Sequence, residues 1–390
     1  MINQKSLENN VLNFILILII IFGFYLCSVG GYGSDEDTLP MIYVFESRLT
    51  DGSFVTSRFT GNPVAEIGIG FLAYYFGSMV VNLITFIFFL ASLVFIYLSN
   101  FEKNNLKLFL VLCLSNQVLF FDNLEPIDYS WALLPFSIGL FLFSKKKFEL
   151  AILFFGISIG SRINFFLFII PIVIFFFDNF IRNNLTEKLI RVFVIFFVGS
   201  LFYLPIWYDS SFSLEWLTAA RPIEQGFFGL FARFSYKSIL AIGYIQLIII
   251  LINFFISKNL LILLIKKKYL FSIIFLNLII FFYIPAELSY LQPALVFIYF
   301  FISNYFSKKI VYLIVIFNFL GWIINYDFIN IKHKSDNKCD PIQAIGADIK
   351  FSIKKGAIEK FIIDRNLIEC WAHDTHPSRT EKILQGKALK

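Results

Sequence analysis

Long apolar runs separated by short charged stretches set the pattern of this chain. Phe14–Phe24, Ile84–Tyr97 and Phe165–Phe177 hold few polar positions, and they approach the length needed to cross the hydrocarbon core of a bilayer. They lack the alternation of polar and apolar residues that a closed barrel needs, and in lipid every backbone N–H and C=O must then be satisfied within its own segment. The pattern predicts helices.

Basic residues fall between the runs, at Lys103/Lys107, Lys145–Lys147, Arg182/Lys188/Arg191, Lys258/Lys266–Lys268 and Lys308/Lys309. Placing these loops inside gives an all-α polytopic membrane protein of about eleven spans, several short or tilted, with the N-terminus inside and the tail outside. The first span covers about 11–31 and leads to an external loop, 32–62. Pro63–Gly77, interrupted by Glu66 and two glycines, suits a helix lying along the membrane surface. A crossing helix follows at about 79–99, and helices at about 107–121 and 130–143 flank the turn Asp122–Tyr129. Between Lys147 and Arg182 the apolar stretch breaks at Gly156–Arg162 into two short helices; a single span there would invert every later basic loop. A helix at about 190–206 precedes a long external segment, 207–238, rich in Trp, Tyr, Arg and Glu, and spans at about 239–256, 269–284, 290–304 and 310–325 complete the membrane domain, 1–325. From Asn325 onward the composition turns polar, so 326–390 reads as a small external α/β or irregular domain.

Composition strengthens this picture. The chain is 58% hydrophobic and 15% charged, with 53 Phe among 390 residues, a balance that would leave a water-soluble domain with large exposed apolar patches. The net charge of +6 is scattered among loops, which marks topology rather than a nucleic-acid surface. The first run lacks a small-residue cleavage pattern and reads as a retained anchor. Cys339 and Cys370 lie in the tail, on the side expected to be oxidising, and are expected to form a disulfide that stabilises it by about 3 kcal/mol. Cys27 and Cys113 read as membrane-buried thiols. A rival reading joins Cys370, His373 and His376 around a metal, but a fourth ligand at diagnostic spacing is missing.

Candidate chemistry begins in Ser34–Pro40, where Asp35, Glu36 and Asp37 follow the first span directly. Crowded carboxylates repel one another, so one can retain its proton longer and act as a base. The Asp35-x-Asp37 spacing also permits a divalent cation without requiring one; no cofactor is certain. The bland reading is a solvated acidic loop. Farther on, Arg58 precedes Gly61-Asn-Pro63 and the surface helix.

Here the chain resembles the C-type (GT-C) glycosyltransferases, which use lipid-linked sugar donors. The resemblance lies in the acidic run after the first span, the Arg-x-x-Gly-x-Pro segment, the small-residue helix Gly156–Ser161 ending in Arg162, and Glu287-Leu-Ser-Tyr290-Leu-Gln-Pro293. It covers residues 11–325 loosely and makes 32–77 the catalytic first external loop. It implies that an acidic residue of that loop acts as catalytic base or acceptor-positioning group, a role assigned to Asp35 with Glu36 or Asp37 as alternatives. It also implies an inverting transfer from a polyprenyl-phosphate carrier to an unknown acceptor (a glycan, lipid or protein) at the external face of a bacterial cytoplasmic membrane. Arg58, Arg162, Arg221 and Arg233 are then candidates for the donor phosphate. Arg162 has a bland reading as a snorkelling interfacial cation, and Arg221 and Arg233 as headgroup anchors. Glu125, Asp128, Glu287 and Tyr290 are candidates for substrate contact; for Glu125 and Asp128 the competing reading is a helix cap beside Pro126, and for Glu287 a carboxylate facing water.

A polytopic transporter or flippase, and an O-antigen polymerase or ligase, remain rivals. The first would favour helices broken at mid-membrane and an internal repeat, and no clear repeat occurs. The second would place its essential arginines in a late loop such as 207–238. Phosphate loops, dinucleotide fingerprints and His-Glu-x-x-His are absent, which argues against a pump driven by ATP, a membrane dehydrogenase and a zincin.

Overall fold

The computed structural model describes residues 4–29, 31–32, 38–52, 57, 61–99, 105–176, 185–209, 226–285, 287–333 and 344–364. Its helices are α1 (Gln4–Val29), α2 (Thr38–Asp51), α3 (Pro63–Ser99), α4 (Leu106–Ser115), α5 (Gln117–Phe121), α6 (Asp128–Ser144), α7 (Phe148–Ser161), α8 (Phe165–Pro171) and α9 (Leu185–Leu201). They continue as α10 (Leu204–Asp209), α11 (Phe227–Ile242), α12 (Tyr244–Ile256), α13 (Lys258–Lys266), α14 (Lys268–Tyr283), α15 (Gln292–Tyr305) and α16 (Lys308–Ile323). After α16 come an antiparallel hairpin, β1 (Ile324–His333) with β2 (Ala344–Lys355), and α17 (Ala357–Asp364).

Two described helices, Glu8–Val29 and Pro63–Ser99, are long and apolar enough to cross a membrane, and up to four spans result if each of two sharply bent pairs counts as one. Three shorter described helices, Phe148–Ser161, Phe165–Phe175 and Lys268–Tyr283, are also apolar. The outer surface carries large apolar side chains such as Phe193, Phe228 and Phe255, the last two 85% and 81% exposed, while Glu66, Asp128 and Arg162 are buried. Large exposed apolar side chains together with buried, paired charges are the arrangement expected where the solvent is hydrocarbon.

Helices α2, α3, α6, α7 and α9 pack side by side in that order, and α4 packs against α1, α15 and α16. The close fits use small residues. Gly68 leaves room for the Trp131 ring, and Gly156 and Gly160, one turn apart on α7, receive Val198 and Phe202. Stacked small residues of this kind let membrane helices approach closely without a hydrophobic drive between them.

Several expectations need correction. The stretch 32–62, expected to be an external loop, contains α2, whose Met41, Ile42 and Phe45 pack on Gly70 of α3; its polar composition hid an amphipathic helix. Part of 207–238 is likewise helical, since α11 starts at Phe227. The helices expected over 107–121 and 239–256 are each bent, by 89° after Ser115 and 91° after Ile242. The expected change of direction near residue 77 appears as a positive φ of 77° at Gly77 within α3, a conformation glycine adopts without a Cβ clash.

Candidate functional site

The buried polar site is built where α3, α6 and α7 meet a short 3-10 turn, Leu288–Leu291. α7 ends at Arg162, whose backbone is extended (φ −164°, ψ 114°) and whose N–H still bonds the Ser158 carbonyl at 2.9 Å. That exit turns the side chain inward. One guanidinium nitrogen, Nη1, lies 2.5 Å from both Asp128 carboxylate oxygens, and Arg162 and Asp128 are 4% and 0% exposed. Asp128 sits in the first turn of α6. It also accepts from Asn62 Nδ2 at 2.5 Å, which ties the start of α3 to the same carboxylate.

Two rings flank the guanidinium. Its Cζ is 3.6 Å from the centroid of Tyr129 and 4.7 Å from that of Tyr290, and the two rings meet at 5.5 Å with a 64° interplanar angle. A delocalised, weakly hydrated cation is suited to this stacking, and desolvation strengthens it. Asn277 of α14 fixes the second ring: its Nδ2 donates to the Tyr290 carbonyl at 3.0 Å and its Oδ1 accepts from Ala294 N at 3.1 Å. Tyr203 lies within electrostatic reach of Glu66, Arg162 and Asp128, and its hydroxyl donates to the Ile159 carbonyl at 3.0 Å.

Glu66, fully buried, gathers the segment before α3. Its Oε1 accepts from the Ser57 hydroxyl and from Ser57 N–H, the latter at 3.2 Å. Next to the arginine pocket lies a second charged group. Asp122 feels Glu125, Glu287 and Lys360 of α17; Lys237 of α11 feels Arg233, Glu287 and Lys360. Ser289 Oγ donates to Glu287 at 3.1 Å. Phe361, 6% exposed, packs against Phe121 with ring centroids 5.5 Å apart and planes tilted by 49°, which seats α17 and its Lys360 beside Asp122.

The structure therefore brings Arg162, Asp128 and Tyr290 into one cluster, with Glu125, Glu287 and Arg233 in the adjoining one. Two bland readings are overturned. Arg162 does not snorkel, because its charge is buried and matched by Asp128. Asp128 is not a helix cap, since Ile127 holds the N-cap position of α6 without a side-chain bond. Asn62, Glu66, Tyr129, Asn277, Lys237 and Lys360 join the polar groups without having been singled out as site residues; the Gly61-Asn-Pro63 turn marked Asn62, the interruption of an apolar run marked Glu66, the turn Asp122–Tyr129 marked Tyr129, and nothing marked the others.

Asp35, Glu36, Asp37, Arg58, Arg221, Cys339, Cys370, His373 and His376 lie outside the described residues. The ends of the acidic segment are held nonetheless: Tyr32 packs on the Met41–Ala65–Ile69 cluster of α2 and α3, and the Gly31 carbonyl accepts from Asn82 Nδ2 at 2.7 Å. Burial pushes the Tyr32 phenol up to about 12, so it stays neutral. Cys27 and Cys113 are buried free thiols. Among the described residues, no group of His, Cys, Asp or Glu is arranged to hold a metal ion. No protein-family model, curated protein or solved structure matches the chain.

Proposed function

We propose that this chain is a multi-pass membrane glycosyltransferase that moves a sugar from a polyprenyl-phosphate donor onto a glycan, lipid or protein acceptor. It works at the external face of a bacterial cytoplasmic membrane, with about eleven short or tilted spans and an external tail. Support comes chiefly from one observation: a buried Arg162–Asp128 pair, wrapped by Tyr129 and Tyr290 and tied to the start of α3 through Asn62. Such an expensive group is retained in an apolar bundle where it organises a site.

In this account Asp35 removes the acceptor hydroxyl proton, with Glu36 and Asp37 as alternatives. The acceptor oxygen attacks the anomeric carbon from the face opposite the phosphate. A new C–O bond forms, the anomeric carbon–phosphate oxygen bond breaks, and its electron pair stays on the phosphate. Cations that stabilise this oxygen contribute most when they are preorganised. Arg58, Arg221 and Arg233 hold that role, joined by Lys237. The charge of Arg162 is already matched by Asp128, so Arg162 serves as a positioning residue that fixes α6 and α7 around the site. A divalent cation on Asp35 and Asp37 remains compatible with the step.

The test is transfer of labelled sugar from a polyprenyl-phosphate sugar in membranes carrying the wild type, Asp35→Asn, Glu36→Gln or Asp37→Asn, at matched protein level. Loss in one of the three supports the assignment. Full activity in all three rejects the loop as catalytic.

One observation favours a second reading, a transporter or flippase: the two helix breaks, at Asn116 and Gly243, meet each other. Paired discontinuous helices are a recurring device for substrate sites in transporters. Movement of a fluorescent lipid-linked sugar across reconstituted vesicles without transfer would favour it.

A further inference from the structure

The joint between the two broken helices holds a cavity of about 40 Å³. Its floor is Asn116, Gln246 and Asn318, all buried, and its rim is Gln117, Tyr244, Asn325 and Tyr326, all half-buried. Among the described residues, no charged side chain lines it. The breaks release backbone groups that hydrocarbon cannot satisfy. Side-chain amides take up several of them: Asn116 Nδ2 donates to the Ala241 carbonyl at 2.9 Å and Gln117 Nε2 to the Leu240 carbonyl at 3.2 Å. The amides then chain together. Gln246 Nε2 donates to Asn318 Oδ1 at 3.1 Å, Asn318 Nδ2 to Ser115 Oγ at 3.0 Å, and Asn325 Nδ2 to Gln117 Oε1 at 3.3 Å.

The cavity is wide enough for roughly three waters, at about 10–15 Å³ each. Its wall is neutral and offers donors and acceptors together, with the rings of Tyr244, Tyr326 and Phe317 beside them. An ion of either sign would meet no counter-charge in the wall. Hydroxyl groups both donate and accept, and the C–H face of a pyranose packs on aromatic rings. Asp327 of β1 accepts from the hydroxyls of Tyr236 at 3.1 Å and Tyr244 at 3.2 Å, so the root of the tail hairpin holds the rim in place.

We infer that this cavity is a sugar subsite, which receives the hydroxyl-bearing edge of one neutral pyranose while the rest of the ligand extends past the Asn325–Tyr326 rim. The choice of a sugar among polyols rests on the substrate proposed above, but not on its catalytic step. The ring's hydroxyls replace the waters of the cavity, and the tail hairpin becomes part of the binding surface.

The probe is a panel of methyl glycosides of glucose, galactose, mannose and N-acetylglucosamine, read by saturation-transfer NMR on the full chain in detergent. Gly321→Leu is the plug: Gly321 lines the cavity, and a Cβ there meets only Gln117 Oε1, at an ordinary contact distance of 3.6 Å. Asn325→Ala removes one rim amide and serves as a milder second variant. At least one glycoside should bind the wild type, at least tenfold more weakly to Gly321→Leu and measurably more weakly to Asn325→Ala, and equally to Asp35→Asn. Equal binding by the wild type and both cavity variants overturns the subsite. So does no saturation transfer to any glycoside from a wild type that unfolds cooperatively, which would make the cavity a hydrated joint. Asp35→Asn that keeps full transfer would remove the base and leave the subsite standing.

Discussion

Arg162 and Asp128, 34 residues apart, share one buried ion pair in which a single guanidinium nitrogen sits 2.5 Å from both carboxylate oxygens. The pair joins the end of α7 to the start of α6, and Asn62 adds the start of α3 to it. Removing one partner strands the other charge in an apolar interior, at a cost of about 3–5 kcal/mol. Arg162→Met and Asp128→Leu should each unfold at markedly lower temperature in detergent. The double variant should regain most of that loss, because no charge is left unmatched, yet remain inactive in transfer. Full activity in the double variant would reduce the pair to a structural brace.

Gly243 and Gly321 face the same cavity but should respond in opposite ways. Gly243 has φ 96°, and a Cβ there would collide with Gln246 Oε1. Gly243→Ala should therefore destabilise the protein by about 1–3 kcal/mol. Gly321 lies within α16, where a Cβ meets only Gln117 Oε1 at an ordinary contact distance of 3.6 Å, so Gly321→Ala should leave stability unchanged or raise it by about 0.5–1 kcal/mol. Thermal unfolding of the two variants side by side checks the contrast.

Glu66 anchors Ser57 through both its N–H and its hydroxyl. Glu66→Ala leaves those donors buried without their acceptor, a penalty of about 1–3 kcal/mol. Protease cleavage near residue 57 should speed up, while cleavage near α16 should not change.

Phe361 seats α17 against Phe121. Truncating a buried Phe costs about 3–5 kcal/mol, so Phe361→Ala should accelerate amide exchange across 344–364 and leave α4 protected. Uniform acceleration over the whole chain would show that the tail is not a separable unit.

Much of the helical layout was legible because apolar runs and their breaks follow simple rules. Gly156–Arg162 ends a helix where small residues give way to a charge, and α14, α15 and α16 fall within two residues of the expected starts. Other features left no local trace. Asn116 lies between Ser115 and Gln117 inside an apolar run, and its role as a break depends on Ala241 and Tyr299, more than a hundred residues away. α2 was hidden by the charged and polar residues that follow its apolar Met41–Phe45 stretch. The pairing of Arg162 with Asp128 rather than with a headgroup is a tertiary fact that no spacing encodes. Span number is hard to read for a related reason: many helices here are shorter than a bilayer is thick, so sequence-level spans correspond to short or bent segments.

In the proposed transferase the acidic run after α1 faces the external space, on the side of the Arg162 cluster. This placement is tested most directly by Glu36→Cys in a chain whose native cysteines are replaced by serine, exposed in intact cells to a membrane-impermeant maleimide. Labelling without permeabilisation is the expected result. Labelling only after the membrane is opened would put the carboxylates in the cytosol and contradict the account.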